Sequence, residues 1–384
     1  MVFKRLYLIF LLFFIGCITP EEPKFEYKEG LIYIDAFAST STGASYVNIS
    51  ESVLRNQILI NVLISGATIF FTNTDSGQTV ELTEENGQYV PPSDFAVAVG
   101  ETWDLKIELP NGKKYYSQPE TIIKPVAFTN LKATYNPELT FKVELNEYVP
   151  GHALYVDLND PLDERNYYLW KFRTYEKLLI CETCDEQIFR NGRCIEVNHD
   201  LNKDIADTGE SDYYCDGDCW RIRYNETIEL FSDEFVEGGI VQNLPVGDIQ
   251  LYTTENLVVE VQQLSLTENT YDYYKVLKDI VDNNSGLNAP PPAALVGNMY
   301  NPEDEEEYVL GRFTAASSTT NSLYITRESI EESPLDPFNE FTSECEIFCG
   351  IQICHSPEGC AFESIVPCSE TRYRTAIKPE GWID

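Results

Sequence analysis

Apolar and polar residues alternate with a period of two along much of the chain. In "WDLKIEL", Trp103, Leu105, Ile107 and Leu109 fall on one side while Asp104, Lys106 and Glu108 fall on the other, the pattern of a strand with one buried face. Asn111-Gly112 follows, a type I′ hairpin signal, and "KKYYS" supplies the returning strand. Upstream, "GATIFFTN", "QTVELTE" and "GQYV" are separated by Asp75-Ser76-Gly77 and Asn86-Gly87. Closely spaced short strands with turns between them predict an antiparallel sandwich, so residues 28–124 are expected to form an immunoglobulin-like β-sandwich. Pro119 to Pro125 reads as its exit linker.

The alternation resumes in "LTFKVELNE", where Leu139, Phe141, Val143 and Leu145 predict another half-buried strand. "NYYLWKF" and "NLVVEVQQL" read as strands of the same sheet system, and "EYVLGRFTAAS" and "SLYITRE" as two more. One stretch has helical period instead. Ser265 and Glu268 form a capping box, and Thr270, Tyr273, Tyr274, Leu277, Ile280 and Val281 recur at helical spacing, predicting an amphipathic helix over 266–283. The expected fold is therefore mainly β, with two β-sandwich domains. The second, residues 125–384, carries the helix, a cysteine-rich insertion at 178–222 and a cysteine-rich tail at 341–370.

The amino terminus follows neither period. Lys4 and Arg5 precede an unbroken apolar run, Leu6 to Ile15, which is too short to span a bilayer, since a helix needs about 20 residues for that. Phe14-Ile15-Gly16-Cys17 resembles a bacterial lipobox, in which residues 1–16 are a signal peptide and Cys17 becomes the lipidated first residue. An ordinary signal peptide with an incidental cysteine is the alternative. Residues 17–27 read as an acidic, proline-containing tether.

Cysteine parity favours lipidation. Of 11 cysteines, removing Cys17 leaves an even set suited to disulfides in an exported chain. They fall into two clusters of five: Cys181, Cys184, Cys194, Cys215 and Cys219, then Cys345, Cys349, Cys354, Cys360 and Cys368. If all are oxidised within the monomer, an odd number of bridges must join the clusters and tie the tail to the insertion. Such a bridge closes a loop of at least roughly 125 residues, for which the chain-entropy model gives about 4 to 5 kcal/mol. A zinc site at Cys181-x-x-Cys184 and Cys215-x-x-x-Cys219 is the competing reading, disfavoured by an oxidising compartment. No βαβ pattern surrounds the cysteines to support thioredoxin-like redox use.

Acids outnumber bases 63 to 27, for a net charge of −36, and no basic stripe is present to neutralise phosphates. That excludes nucleic acid as an expected partner and favours a soluble, self-repelling surface. The three histidines, His152, His199 and His355, accompany no G-x-S-x-G or H-E-x-x-H motif, so no catalytic residues, cofactor or metal are expected. One weak calcium candidate exists. Asp200, Asn202, Asp204 and Asp207 are spaced somewhat as in an EF-hand loop, but Ile205 stands where glycine is needed and Ser211 where the bidentate glutamate belongs. "PEDEEEY", 302–308, reads as an exposed turn. In "NYYLWKF", Tyr168, Trp170 and Phe172 share one face and Tyr167 and Leu169 the other; one face is core and the other is either covered or a platform for a sugar or peptide.

Taken together, the lipobox, "GATIFFTN…NGQYV…VGETWDLKIELPNGKKYYS", "SLTENTYDYYKVLKD" and "PPPAALVGNMYN" before "YVLGRFTAAS" resemble the Bacteroidota lipoprotein family termed domain of unknown function 4249. The resemblance implies a β-sandwich architecture, an outer-membrane lipoprotein, and a setting near TonB-dependent transporters. Glu21 and Glu22 resemble the acidic signal that sends such lipoproteins to the cell surface. No catalytic residues carry over. The expected function is that of a non-enzymatic accessory subunit of an outer-membrane barrel transporter or assembly, anchored to the membrane by lipid. The rivals are a stand-alone glycan- or peptide-binding lipoprotein, which predicts an open aromatic cleft, and a secreted hydrolase, which needs a polar pocket with converging carboxylates or histidine.

Overall fold

The computed structural model describes residues 29–384, apart from 57, 86, 144, 163, 179–181, 185–186, 191–192, 197–211, 215–217, 235, 237, 284–294, 296, 336–352, 357–358, 362–367 and 369. The described chain is mainly β, with one helix and open sheets. The largest sheet has 16 strands, and one strand, Val309–Ile325, lies at its centre. Its first half pairs in parallel with Ile32–Ser39, from Ile32↔Val309 to Ser39↔Ala316. Its second half pairs antiparallel with Leu257–Leu266, from Ser265↔Ser317 to Leu257↔Ile325.

The alternation predicts two strands here, "EYVLGRFTAAS" and "SLYITRE"; they are one continuous strand of 17 residues. The polar run Ser317 to Asn321 looked like a break. It is polar where it crosses between two hydrophobic cores, and Ser318, Thr319 and Asn321 there satisfy neighbouring backbone and hydroxyl groups. Thr319 Oγ1 donates to the Val126 carbonyl at 3.3 Å, Asn321 Nδ2 to the Phe128 carbonyl at 3.2 Å, and Ser318 Oγ meets Ser41 Oγ at 2.8 Å.

The first core gathers Ile34, Ile49, Ile69, Phe71, Trp103, Leu105 and Ile107. The alternation in "WDLKIEL" is realised in full, since Trp103, Leu105, Ile107 and Leu109 are all buried. The sheet folds back on itself, so that Phe71 and Phe313, on strands that do not pair with each other, have ring centroids 5.6 Å apart. Met299, Val309, Phe313 and Ala315 complete this core from the far end of the sequence. Gly311 sits at the closest approach, with φ of +93°, and a Cβ there would collide with the Ile34 carbonyl oxygen.

The hairpin after "WDLKIEL" differs in its turn. Glu108 pairs with Lys114, the Leu109 N–H donates to the Lys113 carbonyl, and the Gly112 N–H donates to the Leu109 carbonyl, both at 2.9 Å. Gly112 has φ of +84° while Asn111 is not in the positive region. The loop is the three-residue form, a type I turn with Pro110 first and a left-handed glycine last, rather than type I′. Pro119 to Pro125 is likewise more than a linker. Glu120–Thr121 pairs with the strand Thr102–Glu108, and the Glu120 side chain is buried.

The second core lies between the main sheet and a three-stranded sheet of Phe128–Lys142, Glu147–Asp160 and Gly239–Gln250. Phe128, Leu154, Val156 and Leu158 from the latter meet Tyr168, Trp170, Phe172, Val259 and Val261. "LTFKVELNE" does not behave as expected. The chain turns at Val143 to Asn146, with Asn146 at φ of +53°, and Phe141, Val143, Leu145 and Tyr148 form an exposed hairpin tip, Val143 at 74% exposure. The local turn overrides the alternation.

The helix runs from Glu268 to Asn283, starting two residues later than predicted. Ser265 is not its cap; it belongs to the strand Leu257–Leu266, where its hydroxyl accepts from the Val126 N–H. Thr267 caps instead, its carbonyl accepting the first helical bond from Tyr271 and its hydroxyl meeting that of Thr270 at 2.8 Å. Within 178–222, Trp220–Tyr224 joins the main sheet against the strand Tyr167–Lys177, and two short strand pairs precede it.

Candidate functional site

Period-two geometry gives the main sheet one continuous face opposite both cores. Along Ile32–Ser39 the even positions enter the first core, so Asp35 and Phe37 point the other way. Along Tyr167–Lys177, Tyr168, Trp170 and Phe172 enter the second core, leaving Leu169, Lys171 and Arg173 on the same outer face. Register aligns these rows across the strands, with Lys171 opposite Gln262, Gln262 opposite Thr320, and Arg173 opposite Glu260.

That face is covered at both ends. At one, the helix packs Tyr271 and Tyr274 against Phe37, Leu169, Leu264 and Ala316. At the other, Trp382 near the carboxy terminus packs with Tyr324 on a cluster of Tyr175, Trp220, Ile222 and Val258. Between the covers lies a cleft of about 600 Å³. Asp35, Lys171, Arg173, Glu260, Gln262 and Thr320 form its floor, Tyr273, Tyr274 and Leu277 its helical wall, and Tyr224 and Arg372 its other wall.

Of the seven charged side chains that line the cleft, Arg173, Glu260 and Arg312 are in ion pairs, while Asp35, Lys171, Glu226 and Arg372 are in none among the described residues. Arg173 Nε lies 2.8 Å from Glu260 Oε1. Arg312 is held by Glu120, whose carboxyl burial pushes above the usual carboxylate range against the pull of that arginine, and by Thr270 Oγ1 at 2.8 Å. Lys171 and Arg372 have no carboxylate within ion-pair distance among the described residues. The Lys171 ammonium lies 3.4 Å from the Tyr46 hydroxyl and over the rings of Phe37 and Tyr46, at 5.1 and 5.7 Å from their centroids. Burial lowers its pKa, Asp35 opposes that, and Arg372 adds to it. The Arg372 guanidinium lies over Tyr224 and Tyr373, at 5.2 and 5.7 Å. Burial and the Asp35 charge push the Tyr33 hydroxyl up to about 12 and raise Tyr46 and Tyr274 as well, so these walls stay neutral hydrogen-bonding groups at physiological pH.

The tail that carries Arg372 is fastened in place. A disulfide joins Cys219 to Cys368 across a separation of 149 residues, one cysteine from each cluster. Trp220 and Arg221 pair with Thr375 and Arg374, and the Tyr224 hydroxyl donates to the Arg372 carbonyl at 3.1 Å.

Most of the other sites expected from sequence lie on residues that the structure does not describe in full. Cys17, Cys181, Cys215, Cys345 and Cys349 lie outside the described residues, as do Asp200, Asn202, Asp204 and Asp207. Cys184, Cys194, Cys354 and Cys360 lie in short strands described by backbone alone. Among the described residues no group of three or more His, Cys, Asp or Glu is placed to hold a metal, and no helix is long and apolar enough to cross a membrane. His152 is buried beside Tyr135, its ring held neutral to about pH 4 by burial and by Arg327.

Residues 18–322 match the family model described as Domain of unknown function (DUF4249). The chain belongs to that family. No curated protein matches the chain. The span of the DUF4249 match contains Asp35, Tyr46 and Lys171 and ends within the strand Val309–Ile325; Cys368 and Arg372 lie beyond it. The sequence pattern names Leu169 on the face that is either covered or a platform, and Tyr273, Tyr274 and Leu277 on the helix, but does not single out Lys171, Gln262, Thr320 or Arg372. The available signal was Lys171 itself, a cation in the middle of the aromatic run "NYYLWKF" on the face that the pattern left unassigned. Arg372 had no local signal, because only the folded tail brings it to the cleft.

Proposed function

We propose that this DUF4249 chain is a non-enzymatic, lipid-anchored outer-membrane lipoprotein of the cell surface that captures a small ligand in the cleft beneath its helix. In this reading the two cores are two β-sandwich units, the first immunoglobulin-like, and Cys17 carries the lipid. The observation that carries the binding function is the cleft itself: concave, walled by tyrosines, and floored by converging polar groups on the face of the main sheet turned away from both cores. Ligand sites combine an apolar wall with a few placed polar groups.

A role as partner of a TonB-dependent type transporter is the second reading, and a different feature favours it. The strand Ile58–Leu63 pairs on one side with Tyr46–Arg55 and exposes Ile58, Leu59 and Leu63. Together with the Phe141 to Tyr148 tip it offers apolar contact surface of the kind that docks protein. The two readings are compatible, with capture in the cleft and delivery through the barrel.

Native mass spectrometry of protein isolated from its own membranes tests the capture function. The expected result is a bound small molecule that is lost from Gln262→Trp, which fills the cleft floor. Equal retention by that variant, or a protein that carries nothing and takes up nothing from a metabolite extract, overturns it.

A further inference from the structure

We infer that the cleft takes an organic anion, a ring-bearing molecule whose carboxylate or sulfonate lies between Lys171 and Arg372 and whose ring lies against the tyrosine wall. This assignment rests on the capture function proposed above and names its ligand class.

The argument begins with charge. The chain carries 63 acidic and 27 basic side chains, so a cation has carboxylates within easy reach almost anywhere on the molecule. Elsewhere the buried cations take them. Arg327 is paired with Glu176, Arg312 with Glu120, and Arg173 with Glu260. Lys171, half-buried and facing the cavity with no carboxylate within ion-pair distance among the described residues, departs from that pattern, and holding it there costs free energy, because desolvation disfavours its charge and the exposed Arg372 in the cleft wall repels it. Aromatic faces offset part of that cost and leave the hydrogen-bonding capacity of both groups open. The Lys171 ammonium keeps donors beyond its single long contact to Tyr46, and the Arg372 fork has a face on Tyr224 and Tyr373 with its edge in no ion pair among the described residues.

Asp35 gives the site direction. It lines the same cavity and has no salt bridge to Lys171 within 4.0 Å. It would repel an anion at its own end and accept a hydroxyl or amine of the ligand there, which orients the molecule with its acid group toward Arg372. Gln262 and Thr320, one row over, add neutral hydrogen-bonding groups on the floor. A charge-assisted contact from each of two cations is what separates an acid from its neutral analogue in such a site.

Two fluorescent probes of the same shape test this in the purified full chain: anilinonaphthalene sulfonate and its uncharged counterpart, phenylnaphthylamine. The expected result is that wild type binds the sulfonate at least roughly tenfold more tightly than Lys171→Met or Arg372→Met does, that Lys171→Arg restores most of the loss, and that the neutral probe binds all four proteins alike. Gln262→Trp should exclude both probes. Equal sulfonate affinity in wild type and the two methionine variants overturns the anion assignment while leaving capture standing. Binding of both probes that is indifferent to Gln262→Trp places them outside the cleft and overturns both. Circular dichroism melting curves of the variants establish that each is folded, and Lys171→Arg guards against a loss caused by misfolding.

Discussion

Two neighbouring regions on the same sheet treat positive charge in opposite ways. Around Glu176, burial is matched by pairing: Arg327 Nη1 lies 3.0 Å from one carboxylate oxygen and Arg223 Nε 3.1 Å from the other, and Arg327 also donates to the Thr253 carbonyl. In the cleft, Lys171 and Arg372 lie against phenylalanine and tyrosine rings and have no carboxylate within ion-pair distance among the described residues, although Asp35 and Glu226 line the same cavity. The Glu176 region is closed and structural, since removing one member strands another in low dielectric. Arginine content alone would not separate the two; the partner of each cation does.

The largest expected effect links both regions. The Cys219–Cys368 bridge fastens the tail against Trp220–Tyr224, a strand that supplies Arg223 to the Glu176 network and Tyr224 to the cleft wall. Replacing both cysteines by serine should cost up to about 5 kcal/mol in urea unfolding, given a loop of this length, and should also lower affinity for an anionic probe by freeing Arg372. Loss of stability with unchanged anion affinity would detach the tail from the cleft. Next, Arg327→Met should cost about 3 to 5 kcal/mol by the same measurement, because Glu176 then stays buried with half its pairing gone.

Acid should separate the regions further. His152 has a folded-state pKa near 4 against an ordinary 6.5, so below pH 6.5 the unfolded chain binds a proton that the folded one does not. Stability from this group is complete above pH 6.5 and is lost as pH falls toward 4, by about 3 kcal/mol. A His152→Phe variant should lack that increment when the pH dependence of unfolding is compared with wild type. The smallest effect is expected from Lys171→Met, between no change and about 1 kcal/mol of added stability, since a desolvated charge is removed and no carboxylate is stranded. A loss as large as that of Arg327→Met would erase the contrast between the regions.

The first core was largely legible in the sequence because its strands bury one face each and so advertise a period of two, as Trp103 to Leu109 do. Val309–Ile325 was not, because a strand that passes from one core to another has no single buried face to betray it, and its polar middle, Ser317 to Asn321, answers to backbone carbonyls far away in sequence. Phe141, Val143 and Leu145 misled for the opposite reason, showing the right period on a segment that turns before it can be covered. The helix was recognised from Tyr273, Tyr274 and Leu277, but its start was misplaced because Ser265 is as good a cap on paper as Thr267. The cleft depended on register between strands separated by about a hundred residues, which periodicity within any one of them does not encode.

The parallel pairing of Ile32–Ser39 with Val309–Ile325 sets an order of events during synthesis. The first strand of the fold emerges about 280 residues ahead of its neighbour, a delay of roughly a quarter of a minute to a minute at ordinary elongation rates. Throughout that interval Ile32, Ile34 and Ala36 sit beside an unfilled slot that a sister chain could occupy. A fragment ending before Val309 is therefore expected to be an aggregation-prone half-product instead of a smaller working unit.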